Sequence, residues 1–118
     1  FLADIRGYRE RLLAQAGLPC VFPLWHRDTH ALAREMIDAG LRATLTCVDL
    51  AKLDAAFAGR AFDAALPADL PAHIDPCGEN GEFHSFVPAG PMLERSLDVH
   101  MGETVVRDGF AFTDLTPA

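Results

Sequence analysis

Apolar positions along the chain follow a helical period in the first half and short continuous or alternating runs in the second. Across residues 2–16, Leu2, Ile5, Leu12 and Leu13 form one stripe with Arg6, Arg9, Glu10 and Arg11 mostly off it, which predicts an amphipathic helix. Gly17 followed by Pro19 stops it. Residues 20–25 are an apolar run bounded by prolines, too short for a helix, and predict a buried strand. Asp28 or Thr29 can cap a second helix, whose buried face is Leu32, Ala33, Met36 and Ile37 and whose stop is Gly40. Residues 43–49, rich in β-branched and apolar side chains, predict a second buried strand. Strand, helix, strand with short connections makes a βαβ unit, its two strands parallel and adjacent. Residues 50–58 predict a third helix stopped by Gly59, with one further turn at 62–66.

The pattern changes after that. Pro67, Pro71, Pro76 and Gly78 punctuate a loop, and residues 82–87 alternate as a strand does. Residues 96–100 and 104–107 predict two short strands flanking Met101-Gly102-Glu103. Asp108-Gly109 is a hairpin turn signal leading into a last strand at 110–115. No repeat and no low-complexity tract interrupts the order. The fold class expected is α/β: the end of a Rossmann-like parallel sheet, then a small α/β unit with antiparallel C-terminal strands.

Composition narrows the function. The chain has 118 residues, 50% of them hydrophobic and 23% charged, enough for one modest core and far from a disordered composition. Its formal net charge of −7, with no cluster of Lys or Arg, disfavours nucleic acid as a partner. No apolar run is long enough to cross a membrane. Three cysteines, Cys20, Cys47 and Cys77, lack metal-type spacing, and an odd count without a signal sequence fits a reducing cytoplasm. The opening Phe1-Leu2-Ala3 lacks Met and runs straight into a helical pattern, as in a piece of a longer protein.

Candidate chemistry concentrates in Asp75-Pro76-Cys77-Gly78-Glu79-Asn80-Gly81-Glu82-Phe83-His84-Ser85. Asn80-Gly81 tolerates positive φ, and Gly78 is a second position where backbone can approach a ligand. Glu79 and Glu82 bracket the turn. On the strand that follows, Glu82, His84 and Phe86 share a face, with a carboxylate and an imidazole roughly 7 Å apart at Cα. Such a pair can bracket a polar group, bind a cation or move a proton. The bland alternative, a surface turn with solvated acids, has about even weight from composition alone, although Cys77 and Phe83 are unusual in an exposed turn. Trp25, the only tryptophan, ends the first predicted strand, where α/β sheets gather ligands, and is equally well a core aromatic. A metal set of His73, Cys77, Glu82 and His84 has no structural zinc spacing. Cys47 reads as a small buried hydrophobe.

Taken together, these residues resemble the C-terminal half of the diphthine–ammonia ligase family, ATP-binding enzymes of the PP-loop adenine nucleotide α-hydrolase group. Pro23-Leu24-Trp25 matches a strand-end Pro-Leu-Trp. Gly78-Glu79-Asn80-Gly81-Glu82-Phe83-His84-Ser85 matches a Gly-Glu-x-Gly-Glu-Tyr/Phe-His-Thr block, and Gly90-Pro91-Met92 a following Gly-Pro-Met step. The helix around Asp4-Ile5-Arg6-Gly7-Tyr8-Arg9-Glu10 is similar to the family's segment before the Pro-Leu-Trp. Ser85 replaces Thr and keeps the hydroxyl, Asn80 stands where Gly is common, and Leu93 replaces a frequent aromatic. The family's phosphate-gripping Ser-Gly-Gly-Lys-Asp-Ser loop does not occur in the chain.

The resemblance implies amide synthesis: a substrate carboxylate attacks the α-phosphorus of ATP, pyrophosphate leaves, and ammonia displaces AMP. It implies ATP, with Mg2+, as cofactor, bound mainly outside this chain, and a diphthine-like acceptor and ammonia as partners. A homodimer is compatible with it. Residues 1–25 would complete the nucleotide domain, with Pro23 and Leu24 on the cofactor side, and residues 26–118 would form the substrate domain. Glu79, Glu82 and His84 are the implied catalytic residues, and Trp25, Cys77, Gly78, Asn80, Gly81, Phe83 and Ser85 the implied substrate-binding ones. Two rivals remain: a PP-loop enzyme with another acceptor, and a non-enzymatic small-ligand or dimerisation module.

Overall fold

A computed structural model describes residues 2–118. Helix α1 (Ala3–Gln15) forms where the stripe predicts it, but it buries no residue, and Leu2, Ile5, Tyr8 and Leu12 are exposed. Helix α2 (Thr29–Asp38) is capped by Asp28, whose carboxylate accepts from the His30 N–H at 3.0 Å. Its Leu32 and Ala33 are buried, and Met36 and Ile37 pack against the core.

Strand β1 (Arg42–Asp49) is the centre of the molecule, and β2 (Phe83–Ala89), β3 (Val99–Arg107) and β4 (Phe110–Pro117) join it in the order β2-β1-β4-β3. Every pairing is antiparallel. The expected parallel βαβ unit is therefore absent from the described residues, because its first strand does not form. Residues 20–25 instead make successive turns, with Trp25 N–H donating to the Phe22 carbonyl and Arg27 N–H to the Leu24 carbonyl, both at 3.1 Å. Prolines on both sides of Cys20-Val21-Phe22 remove ladder donors, and Val21 is 82% exposed.

Residues 50–58 likewise depart from the expected helix, keeping one 3-10 turn at Ala55–Phe57. The Asp49 and Asp54 carboxylates accept from the N–H groups of Ala51 and Ala56, closing local turns that compete with a continuous helix. The chain then runs beside β1, with Gly59 N–H donating to Leu45, Leu45 N–H to Arg60 and Phe62 N–H to Ala43. Helix α3 (Leu66–Asp69) adds a single turn.

Leu45, Val48, Leu66 and Ala111 are fully buried and pack with the buried Leu53, Phe62, Leu70, Ile74 and Phe83 in one core on one face of the sheet. Burying a side chain of this size is worth about 1.5–3 kcal/mol. A bulge between Leu45 and Cys47 shifts the alternation, so that Val48 rather than Cys47 follows Leu45 into the core. On the opposite face the pairings align His84, Cys47, Phe112 and Val105 across all four strands. The region at Met101-Gly102-Glu103, expected to separate two strands, is a bulge within the single strand β3. Among the described residues no helix is long and apolar enough to cross a membrane.

Candidate functional site

The loop between Asp75 and Glu82 is organised by its own acids. Asp75 accepts from the Thr29 hydroxyl at 2.9 Å and from the Cys77 N–H at 2.7 Å, which ties the loop to the first turn of α2. Glu82 is only 2% exposed and lies just before β2 begins. Its Oε1 accepts from the Asp75 N–H at 3.0 Å and the Asn80 side-chain amide at 3.3 Å, and its Oε2 accepts from the Asn80 N–H at 2.9 Å. Burial pushes the Glu82 carboxyl up, but these N–H groups and its own backbone N–H outweigh burial and hold it below the usual range. Lys52 closes the outside of the turn, donating to the Asn80 carbonyl at 2.7 Å.

Gly78 (φ +65°) and Gly81 (φ +74°) both take left-handed backbone, as the turn reading requires. At Gly78 a Cβ would come within 3.0 Å of both the ring and the carbonyl oxygen of Phe83, so the position needs glycine twice over. Phe83 is a core residue at 6% exposure, opposite Val48. Cys77 is half-buried, its Sγ 3.5 Å from the Thr29 carbonyl. Burial, with the Asp75 and Glu79 carboxylates adding to it, pushes the thiol up to about 11. It stays protonated and is a poor nucleophile at neutral pH.

The loop and the strand after it distribute their side chains over four depressions. Glu79 lines two adjoining ones of about 240 and 310 Å³. The first also has Arg6, Arg9, Phe22 and Trp25 on its walls, and the second has Pro23 and Leu24 beside Trp25. The Arg6 guanidinium sits 4.5 Å from the Phe22 ring centre and 4.7 Å from that of Trp25, while the His26 ring stacks on Trp25 at 4.8 Å. The cation against the indole is thus the chain's own arginine. Arg6 also pairs with Glu10 at 2.8 Å. His84 and Ser85 lie elsewhere, in an open cavity of about 720 Å³ on the uncovered sheet face, lined by Cys47, Phe86, Asp98, Phe112 and Asp114 among others. Asn80 and Glu82 border a fourth depression with Lys52 and His73.

Trp25 and Glu79, 54 positions apart in sequence (79 − 25), therefore converge, while Glu82 and His84 do not share the face that simple alternation predicts. The reason is that Glu82 precedes the ladder and turns back into its loop, whereas His84 and Phe86 both line the sheet-face cavity. Among the described residues no three His, Cys, Asp or Glu side chains converge as a metal ion would need, and His73, Cys77, Glu82 and His84 do not form one. The residues to which the sequence reading gave no role at the site are Asp75, Thr29 and Lys52, which hold the turn, and Arg6, Arg9 and Phe22, which complete the wall around Trp25. The arginines' position just off the α1 apolar stripe was the available signal.

Comparison with known proteins bears on what this surface does. Residues 28–115 match the family model described as Diphthamide synthase C-terminal domain. A diphthine–ammonia ligase of Danio rerio is 31% identical over 125 aligned positions, covering 94% of this chain and 46% of the relative. The Homo sapiens diphthine–ammonia ligase is 27% identical over 94% of this chain and 44% of its own length. That of Schizosaccharomyces pombe is 27% identical over 75% of this chain and 15% of its own length. The chain thus spans less than half of each of these curated relatives.

Proposed function

Because the chain belongs to the diphthamide synthase C-terminal domain family, we propose that it forms the acceptor side of an ATP-dependent ligase that amidates diphthine with ammonia. The observation that carries this reading is the meeting of Trp25 and Glu79 in one pair of depressions, with Arg6 and Arg9 on the same wall. Two guanidiniums, one carboxylate and two aromatic rings suit a molecule that bears both a carboxylate and a cation, as diphthine does. Arg9 would hold the carboxylate to be activated, and Glu79 would face the cationic end. Arg6, already against both rings, would orient the carboxylate or give up its place on the indole to the acceptor's cation.

In this reading Glu82 is a positioning residue that fixes Glu79 through the loop. His84 and Ser85 would serve the acceptor or ammonia from the sheet-face cavity, and Cys77, Gly78, Asn80, Gly81 and Phe83 would shape the turn. Pro23 and Leu24 would border the nucleotide. The exposed apolar stripe of α1, and a family match that starts at residue 28, support residues 1–25 as part of a nucleotide domain and 26–118 as the substrate domain. The phosphate-gripping loop sequence does not occur in this chain, so none of its residues is assigned to the triphosphate or to Mg2+. No step of ATP cleavage is assigned to them.

The test is to incubate the full-length protein with ATP, ammonia and diphthine and to follow AMP release together with the amide product. Amide formed in step with AMP supports the reading. AMP release with a different carboxylate and none with diphthine moves the acceptor, and no AMP with any acceptor removes the ligase reading in favour of a binding module.

A further inference from the structure

The two edges of the sheet are unlike. Edge strand β2 carries Pro88, which has no N–H to offer a further strand. Edge strand β3 is nine residues long, contains no proline, and is exposed at every position after Val99. Met101, Val105 and Val106 are 58%, 44% and 64% exposed, so apolar side chains face solvent on both sides of it. The bulge between Met101 and Thr104 blunts its first half. Residues 104–107 keep regular pairing with β4 and carry no such guard.

The hairpin fixes which backbone groups are open. Asp108 (φ 52°) and Gly109 (φ 80°) form a two-residue turn with positive φ at both positions, which makes Arg107 and Phe110 a hydrogen-bonded pair. By alternation Arg107 and Val105 spend their N–H and C=O groups on β4, and Thr104 and Val106 direct theirs outward. A second β3 laid antiparallel on that side, with the two-fold axis at Val105, exchanges the outward groups of Thr104 with those of Val106, and the reverse. The same register sets Val105 against its own copy and Glu103 against Arg107, once on each side of the axis. Arg107 lies on the open face, over the Phe112 ring at 5.0 Å, as Val105 does through its pairing with Phe112. An axis at Thr104 would set the Glu103 carboxylate against Val105 instead, and an axis at Val106 would run the Asp108 turn against Thr104.

We propose that the chain self-associates through β3 as a two-fold antiparallel dimer centred on Val105, continuing the four-stranded sheet into eight strands. The partner is a second copy because hydrogen-bond groups, apolar side chains and opposite charges complement themselves in this one register. An interface built on one strand is small, so the dimer is reversible and concentration-dependent. It stands apart from the acceptor reading and survives that reading's failure.

Sedimentation equilibrium of the whole chain, from about 5 µM to about 1 mM, reads the association. The average mass is expected to rise from one chain towards two. Glu103→Lys and Arg107→Glu each replace two opposite-charge contacts with two like-charge contacts, and each is expected to raise the dimer Kd about tenfold. The double variant Glu103→Lys/Arg107→Glu restores the pairs in reversed polarity and is expected to recover the original Kd. Val106→Pro removes an outward N–H and is expected to abolish dimerisation. Should that variant unfold by circular dichroism, the charge swaps on exposed side chains still decide. A monomer at all concentrations, single variants that leave Kd unchanged, or a double variant no better than the singles overturns the proposal.

Discussion

Replacing Glu82 by Ala strips the loop of its buried acceptor. Two backbone N–H groups, those of Asp75 and Asn80, and the Asn80 side-chain amide all donate to this carboxylate, which is 2% exposed. Each N–H left without a partner costs about 1–3 kcal/mol, so the two backbone groups together cost about 2–6 kcal/mol, less whatever water entering the space recovers. Against a total stability of about 5–15 kcal/mol that is a large fraction. Glu82→Gln keeps one carbonyl oxygen and turns an amide NH2 towards a donor, for about 1.5–3 kcal/mol. The sign with pH follows from the lowered folded value. Stability from Glu82 is fully present above the unfolded carboxyl value of about 4.3 and is lost as pH falls through the lower folded one. The assay is urea unfolding followed by circular dichroism between neutral and acid pH. Wild type is expected to lose stability across that acid window and Glu82→Gln to lose less. An Ala variant within about 0.5 kcal/mol of wild type, with the same acid dependence, would refute the claim that Glu82 builds the loop.

At Gly78, alanine meets both a left-handed φ and the Phe83 ring and carbonyl at 3.0 Å, so Gly78→Ala is expected to cost about 1–3 kcal/mol by thermal unfolding. A neutral effect would show that the turn rearranges freely. The Cys77 thiol, pushed up to about 11 by burial and two carboxylates, is expected at pH 8 to alkylate with iodoacetamide about a hundredfold more slowly than an unperturbed thiol. Labelling as fast as a model thiol contradicts that environment.

Where local chemistry decided the outcome, the elements were legible. The Asp28 cap and its apolar face specify α2, and Asp108-Gly109 specifies the β3–β4 hairpin because few residue pairs accept positive φ twice. Residues 20–25 misled because a short apolar run with prolines satisfies a strand pattern without having any partner to pair with. Residues 50–58 have helical spacing, but Asp49 and Asp54 spend their carboxylates on turns, and the chain after them is drawn alongside β1. The family and the two motif blocks could be read directly, since they rest on contiguous residues. What stayed hidden was division of labour within the block. Glu79 turns out to Trp25 while Glu82 turns in to the loop, and that difference depends on how the folded loop brings the Asp75 and Asn80 N–H groups to the Glu82 carboxylate.

On the proposed reading, the Trp25–Glu79 surface receives the acceptor. This is tested most directly by steady-state AMP release from the full-length protein and its Arg9→Ala and Glu79→Gln variants, with acceptor and ATP varied in turn. An acceptor KM raised about tenfold is expected in each variant, the loss of one charge-assisted contact, with the KM for ATP unchanged. An unchanged acceptor KM in both variants, or a rise confined to the KM for ATP, would contradict it.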